Sequence, residues 1–151
     1  MQDPRIANRF FPNENNVHLS QEEQLSCQGL LTEKECFSSL TQMVNGKTPG
    51  TDGLPVEFYK TFWHDISDAL IAALNFAYEN GHLAITQRRG IIKLIPKKEA
   101  DLKTLKNWRP LSLLNCDYKI AAKSIANRIQ SILPKLVNND QTGFIKGRFI
   151  G

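Results

Sequence analysis

Residues 91–110 read IIKLIPKKEADLKTLKNWRP, and this stretch decides the fold of the chain. An apolar run ends in Pro-Lys-Lys, a polar segment follows, and Asn-Trp-Arg-Pro opens a second apolar run. Because proline has no amide proton, Pro96 and Pro110 belong at strand ends or on a sheet edge. We therefore predict two strands, residues 90–96 and 109–114, which form one antiparallel hairpin around a loop of about a dozen residues.

The two arms of this predicted hairpin carry cations near the loop. Lys97 and Lys98 end the first arm, and Arg109 opens the second. An Arg fork grips two phosphate oxygens at once, while a Lys ammonium supplies a mobile point charge. The pattern suits a triphosphate or a nucleic-acid backbone, with Trp108 bracing the loop or stacking on a base. The alternative is a flexible, solvated hairpin whose cations contact nothing.

Charge is distributed unevenly along the 151 residues, which are enough for one domain with a real core. Residues 1–87 have a net charge of −6 and residues 88–151 a net charge of +10. A half this basic is typical of a protein with a phosphate-rich partner, although a solvated basic surface is the alternative. Neither a membrane span nor a signal peptide is recognisable, so we expect an intracellular protein, nuclear or cytoplasmic, with no membrane partner.

Helices account for most of the remaining pattern. Two capping boxes predict helix starts; they are formed by Ser20 with Glu23 and by Thr32 with Glu35. Further helices are predicted over residues 55–63, 65–80 and 117–133. Helical spacing in the last predicts a buried seam, made of Tyr118, Ala122, Ile125, Ile129, Ile132 and Leu136. The predicted fold class is α+β, mostly helical with one antiparallel hairpin.

The glycine-rich segment 46–53, GKTPGTDG, superficially resembles the end of a phosphate-binding P-loop. The P-loop pattern requires a glycine where Thr41 stands, and no apolar strand precedes it. We therefore interpret the segment as a tight structural loop in which Gly50 and Gly53 are free to adopt positive φ.

Two further groups of polar residues are candidates for nucleic-acid contact. Arg88 and Arg89 open the first predicted β-strand. Their guanidinium groups suit contact with the backbone of a nucleic-acid strand, and the alternative is exposed charge at the end of the β-strand. Gln141 and Arg148 lie in a glycine-punctuated tail that suits a groove, although this signal is weak. No catalytic residue and no metal ligand is predicted in this chain, because no pair of aspartates is placed to hold two metal ions.

Four blocks of the sequence, taken together and in this order, resemble one known family. They are residues 46–60 (GKTPGTDGLPVEFYK), residues 90–98 (GIIKLIPKK), residues 107–120 (NWRPLSLLNCDYKI) and residues 140–148 (DQTGFIKGR). The chain is similar to the N-terminal part of the reverse-transcriptase domain of non-LTR, LINE-type retrotransposons. The resemblance runs from about residue 45 to the end.

This resemblance implies the fingers subdomain of a right-hand polymerase with a truncated palm. The implied division is an irregular segment 1–19, a helical lead-in 20–45, fingers 46–136 and the start of the palm 137–151. The parent enzyme would be an RNA-directed DNA polymerase, with an RNA template, a DNA primer and deoxynucleotide triphosphates as partners. Lys97 and Arg109 would contact the triphosphate. Residues implied on the template side are Lys47, Arg88, Arg89, Lys93, Lys98, Gln141 and Arg148.

The family's catalytic aspartates, which hold two Mg²⁺ ions, lie in later blocks that this sequence does not contain. We therefore expect that this piece alone does not polymerise and that Mg²⁺ belongs to the parent enzyme. Two alternatives stay open at this point: a non-catalytic nucleic-acid-binding remnant and a non-functional truncated relic.

Overall fold

The protein's structure is a computed structural model that describes residues 18–98 and 101–137, together with residues 141, 143, 145, 147 and 148. The irregular segment predicted at residues 1–19, apart from its last two residues, lies outside the described residues, as does most of segment 137–151. The chain divides into two compact units, one formed by Leu30–Asn127 and the other by Met1–Gly29 with Arg128–Gly151.

Five α-helices, a short 3-10 helix and two strands follow one another in the described part of the chain. They are α1 (Gln21–Cys27), α2 (Glu33–Thr41), α3 (Val56–Thr61), α4 (Trp63–Glu79), β1 (Gly90–Pro96), the 3-10 helix (Leu105–Asn107), β2 (Trp108–Leu114) and α5 (Cys116–Leu136). The strands form one antiparallel two-stranded sheet. The predicted α+β class with one hairpin is confirmed, while the assignment to a fingers subdomain stays a prediction. No helix in these ranges is long and apolar enough to cross a bilayer.

Both predicted capping boxes are present. The Ser20 hydroxyl accepts the Glu23 amide at 3.2 Å, and the Glu23 carboxylate accepts the Ser20 amide at 2.9 Å. In α2, the Thr32 hydroxyl accepts the Glu35 amide at 3.4 Å, and the Glu35 carboxylate accepts the Thr32 amide at 2.9 Å. Each box therefore satisfies two backbone donors that the first turn of a helix leaves unpaired.

Removing the cap of α2 has a predictable cost. We expect Thr32→Ala to lower the free energy of unfolding by about 1 kcal/mol, because the Glu35 amide loses the hydroxyl that caps it at the helix start. Urea unfolding followed by circular dichroism measures the change. Thr61→Ala, at the exposed end of α3, is the control and should change stability by less than about 0.5 kcal/mol. Equal losses in the two variants would contradict the assigned cap.

The core of the unit Leu30–Asn127 is built from helices α2, α3, α4 and the first half of α5. Its buried hydrophobic residues are Leu31, Cys36, Leu40, Val56, Tyr59, Trp63, Leu74, Cys116, Ile120 and Ala121. The predicted helix 55–63 ends earlier, since Phe62 leaves helical geometry (φ −100°, ψ 17°) and Trp63 is the first residue of α4. The indole of Trp63, 1% exposed, therefore enters the core from α4.

The buried face of α5 matches the predicted seam only in part, since Ile132 is buried as predicted but other members are not. Among the predicted members, Ile125, Ile129 and Leu136 are 40–44% exposed. The residues buried within the first half of α5 are Cys116, Ile120, Ala121 and Ser124. Ser124 belongs to this buried group because it contacts α2: its hydroxyl bonds the Ser39 hydroxyl at 2.9 Å. The helix also runs three residues beyond the predicted end at 133, with Pro134 inside its last turn.

Candidate nucleotide and nucleic-acid interface

The register of the hairpin decides which cations share a face. Arg109 pairs with Ile95, and Lys93 pairs with Leu111. The Lys97 amide donates to the Asn107 carbonyl at 2.8 Å, so the pairing continues one step past Pro96. Directly paired residues project to the same side of a sheet, as do residues two apart along a strand.

Lys93, Lys97 and Arg109 consequently lie on one face of the hairpin, which we call the cationic face. Arg109 has one lysine diagonally on each side, at about 7–8 Å between Cα positions by standard sheet geometry. The segments 91–97 and 109–113 contain no acidic residue, and all three cations are exposed. Three like charges at this spacing, with no carboxylate between them in the sheet, create a positive potential that favours an anion.

The opposite face of the hairpin carries no charge. Its residues are Gly90, Ile92, Leu94 and Pro96 from β1, with Trp108, Pro110, Ser112 and Leu114 from β2. Ile92 is 68% exposed and Leu94 is 46% exposed. The charged side chains of the two strands therefore all lie on the cationic face, which also carries the apolar residues Ile91, Ile95, Leu111 and Leu113.

The loop of the hairpin is held by its own polar groups. The carboxylate of Asp101 accepts the Lys103 amide at 3.0 Å, and its carbonyl accepts the Asn107 side-chain amide at 2.8 Å. The indole of Trp108 donates to the Leu102 carbonyl at 3.0 Å. Of the two uses predicted for this tryptophan, the structure shows the bracing contact. The described part of the loop is therefore ordered by specific bonds rather than loosely solvated.

The ammonium of Lys97 is directed toward this loop. It donates to the carbonyl of Lys106 at 2.7 Å, which holds the charge at the loop end of the cationic face. An ammonium has three donors, so one backbone contact leaves donors available for phosphate oxygens. Lys98 is also exposed, next to the loop.

The glycine-rich loop 46–53 is fastened at its first end by α3. The Gly46 amide donates to the Glu57 carboxylate at 2.5 Å. The Lys60 ammonium donates to the Met43 carbonyl at 2.8 Å and to the Asn45 side chain at 2.7 Å. These contacts precede Lys47, which is exposed. The predicted structural role of the loop fits this anchoring.

Acid should loosen this anchor. The hydrogen bond from the Gly46 amide holds the pKa of Glu57 below its ordinary value. A lowered folded-state pKa stabilises the fold above the unfolded-state value, and the contribution is lost as pH falls through the folded-state pKa. We expect Glu57→Gln to be less stable than wild type at pH 7 and to lose less stability between pH 6 and pH 3. Urea unfolding across this range, with exposed Glu79→Gln as control, measures the difference; identical pH profiles for wild type and Glu57→Gln would contradict it.

The segment before β1 is fixed to the start of α5. The side-chain amide of Gln87, which is buried, donates to the Asp117 carboxylate at 2.9 Å. Arg88 and Arg89 follow directly and are exposed. The arginine pair therefore directly follows a buried side chain that bonds the segment before β1 to α5.

Arg148 bonds backbone carbonyls within the unit that contains the end of α5. Its guanidinium donates to the Pro134 carbonyl at 3.0 Å, the Val137 carbonyl at 3.1 Å and the Gln141 carbonyl at 2.9 Å. The first two carbonyls belong to the helix end, where carbonyls lack intrahelical partners. Arg148 therefore acts as a C-terminal cap, and the template role predicted for Arg148 and Gln141 stays a prediction.

Metal binding is not supported by the geometry. Among residues 18–98, 101–137 and the five described positions beyond, no group of three His, Cys, Asp or Glu side chains is placed to hold an ion. The described residues therefore do not fit the Mg²⁺ expected for the parent enzyme.

Comparison with known proteins identifies the family of this chain. Residues 95–150 match the family model described as reverse transcriptase (RNA-dependent DNA polymerase). Over 120 residues, 80% of the chain, the sequence is 41% identical to a Xenopus laevis protein described as the Transposon TX1 uncharacterized 149 kDa protein. The chain carries part of a retrotransposon reverse transcriptase of the non-LTR type. It spans 9% of the length of that relative.

Reasoning from the sequence missed the polar side chain that joins these pieces of the reverse-transcriptase fragment. Asn115, between β2 and α5, is 1% exposed and bonds residues of the glycine-rich loop and of the segment before β1. A signal was available, since an asparagine between an apolar strand and a helix suits a helix cap. Its long-range partners could not be read from spacing.

Proposed function

We propose that this chain forms the fingers part of the reverse transcriptase and that its cationic face contacts phosphates. Lys97 and Arg109 bind the triphosphate of the incoming deoxynucleotide, and Lys93 extends the same face toward the template. The hairpin register supports this proposal most directly, because it aligns the three cations without an intervening acid.

The chemistry of the two central side chains fits this division of roles. The Arg109 guanidinium can bond two phosphate oxygens simultaneously, which fixes the orientation of the phosphate. The Lys97 ammonium, which is held near the loop by the Lys106 carbonyl, adds a point charge from the neighbouring arm. Together they can neutralise part of a triphosphate from one side.

The partners follow from the family activity. The whole protein would copy an RNA template by extending a DNA primer with deoxynucleotides, inside the cell where these molecules occur. Reverse transcriptases use divalent metal ions, and Mg²⁺ would neutralise the phosphates and activate the primer hydroxyl. Its ligands are proposed to come from parts of the enzyme other than the residues described here. Lys47, Lys98, Arg88 and Arg89 are proposed to contact the template strand.

Binding of labelled nucleic acid to the 151-residue chain tests the proposal. We expect a fluorescein-labelled RNA–DNA hybrid to bind at 50 mM salt and to dissociate steeply toward 200 mM, because binding releases counterions from the neutralised phosphates. An added deoxynucleotide triphosphate should compete. Failure to bind at low salt, or binding that salt does not weaken, would contradict the proposal.

Primer extension with Mg²⁺ separates the alternatives in the same samples. Nucleic-acid binding without extension is the expected result for this chain, and it is shared with a non-catalytic remnant. A circular dichroism melt distinguishes a relic, which would show no cooperative transition.

A further inference from the structure

The side chain of Asn115 joins two segments that lie far from it in the sequence. Its amide oxygen accepts the Thr51 hydroxyl at 3.1 Å and the Asp52 amide at 3.4 Å. Its amide nitrogen donates to the Thr86 carbonyl at 3.2 Å. The residue is 1% exposed, so these bonds are protected from water. One buried side chain therefore holds both the glycine-rich loop and the segment before β1.

The backbone at Asn115 packs closely against Gly50 of the glycine-rich loop. A Cβ atom added to Gly50 would lie 2.1 Å from the Asn115 amide oxygen and 2.4 Å from its backbone nitrogen. Gly50, within the loop, therefore lies directly against the junction between β2 and α5. The Asn115 carbonyl also accepts the Lys119 amide at 3.2 Å, which ties the junction to the first turn of α5.

Each segment that Asn115 holds carries a cation nearby. Lys47 lies four residues before Thr51, and Glu57 anchors the first end of that loop. Arg88 lies two residues after Thr86. The strand that carries Arg109 ends at the residue before Asn115. Because contacts fix all these segments, binding a polyanion would require little further ordering of the backbone.

We infer that Asn115 is a positioning residue. It holds the glycine-rich loop and the segment before β1 so that the cations of both bind one nucleic-acid strand together. The inference rests on the proposed function, since it concerns the same nucleic acid. Asn115 itself does not contact the ligand. Its side chain holds the segments that carry Lys47 and Arg88, so that the contribution of each cation to affinity depends on Asn115.

A double-mutant cycle measures this dependence. Lys47→Ala and Arg88→Ala are each expected to weaken binding of a labelled single-stranded RNA by about fivefold at 50 mM salt. In an Asn115→Ala background, each of these losses should fall to less than twofold, because the cations are no longer held in place. Unchanged losses in that background, with binding intact in the wild type, would overturn the inference while leaving the proposed function standing.

Asn75→Ala is the matched control. The Asn75 side chain also makes two bonds to a distant segment, accepting the Leu31 amide at 2.8 Å and donating to the Leu31 carbonyl at 2.9 Å. These bonds do not join Asn75 to the glycine-rich loop or to the segment before β1. Stability should fall in both asparagine variants, but the Lys47 and Arg88 losses should stay about fivefold in Asn75→Ala. Losses that shrink equally in the control would show a general effect of destabilisation and would overturn the inference.

A milder variant keeps the test decisive if Asn115→Ala does not fold. Thr51→Val removes only the hydroxyl that donates to Asn115. It should reduce the Lys47 loss and leave the Arg88 loss unchanged, and no change in either loss would overturn the inference.

Limited trypsin cleavage below the melting temperature gives a readout without nucleic acid: cutting after Lys47 should be at least threefold faster in Thr51→Val. If the wild-type chain binds no RNA, the proposed function fails, and the inference fails with it.

Discussion

Simultaneous replacement of Lys97 and Arg109 by alanine is expected to weaken binding of an RNA–DNA hybrid by roughly 100-fold at 50 mM salt. Hydrogen bonds to charged groups contribute about 1.5 kcal/mol each at the lower end of their range, and two of them would be lost. Fluorescence anisotropy of a labelled hybrid measures the affinity.

The control for this experiment removes the same net charge elsewhere. Lys34 and Lys123 lie on α2 and α5, away from the strands of the hairpin. Lys34→Ala/Lys123→Ala should weaken binding by less than about threefold, through the reduced net charge alone. If both double variants weaken binding to the same extent, the cationic face has no special role in binding the phosphates of the hybrid.

Gly50→Ala is expected to lower the free energy of unfolding by about 3 kcal/mol, the largest loss of any substitution of a single residue considered for this chain. The added methyl group would approach the Asn115 backbone nitrogen to 2.4 Å and the Leu114 carbonyl carbon to 2.6 Å. Backbone atoms cannot move aside as the end of a flexible side chain can. The junction of β2 with α5 or the loop itself must therefore shift. Thermal and urea unfolding followed by circular dichroism measure the loss.

Gly53→Ala provides a comparison within the same loop. Gly53 has a φ of 72°, which disfavours any residue with a Cβ, but no atom lies within 4 Å of the added carbon. Its cost should therefore be about 1 kcal/mol, from backbone conformation alone. A Gly53 variant less stable than the Gly50 variant would contradict the close approach of the loop to Asn115.

The sequence was sufficient for features determined by local chemistry. Proline positions bounded the hairpin to within one residue, and the capping boxes at Ser20 and Thr32 followed from reciprocal side-chain bonds three residues apart. Alternation along two strands, together with the register, then decides which cations share a face. The pairing of Arg109 with Ile95 depends almost entirely on local sequence, because the two strands of a hairpin are neighbouring segments of the chain.

Features that depend on long-range packing were not accessible in the same way. The large aliphatic residues of α5 predicted the seam, but Ser124 is buried against α2, where its hydroxyl bonds that of Ser39. Gly50 was predicted to be free to adopt positive φ, but it does not adopt it; a glycine is required there by the lack of space next to Asn115. Spacing also could not show that Arg148 caps the end of α5, since its acceptors become neighbours only after the chain turns.

The salt dependence of single-stranded RNA binding tests the cationic face most directly. The logarithm of the binding constant falls with the logarithm of salt concentration by about 0.7 for each phosphate neutralised on a single strand. Removing Lys93, Lys97 and Arg109 together should therefore lower the magnitude of this slope by about 2 relative to wild type. An unchanged slope in the triple variant, with the fold intact by circular dichroism, would show that these side chains do not meet phosphates.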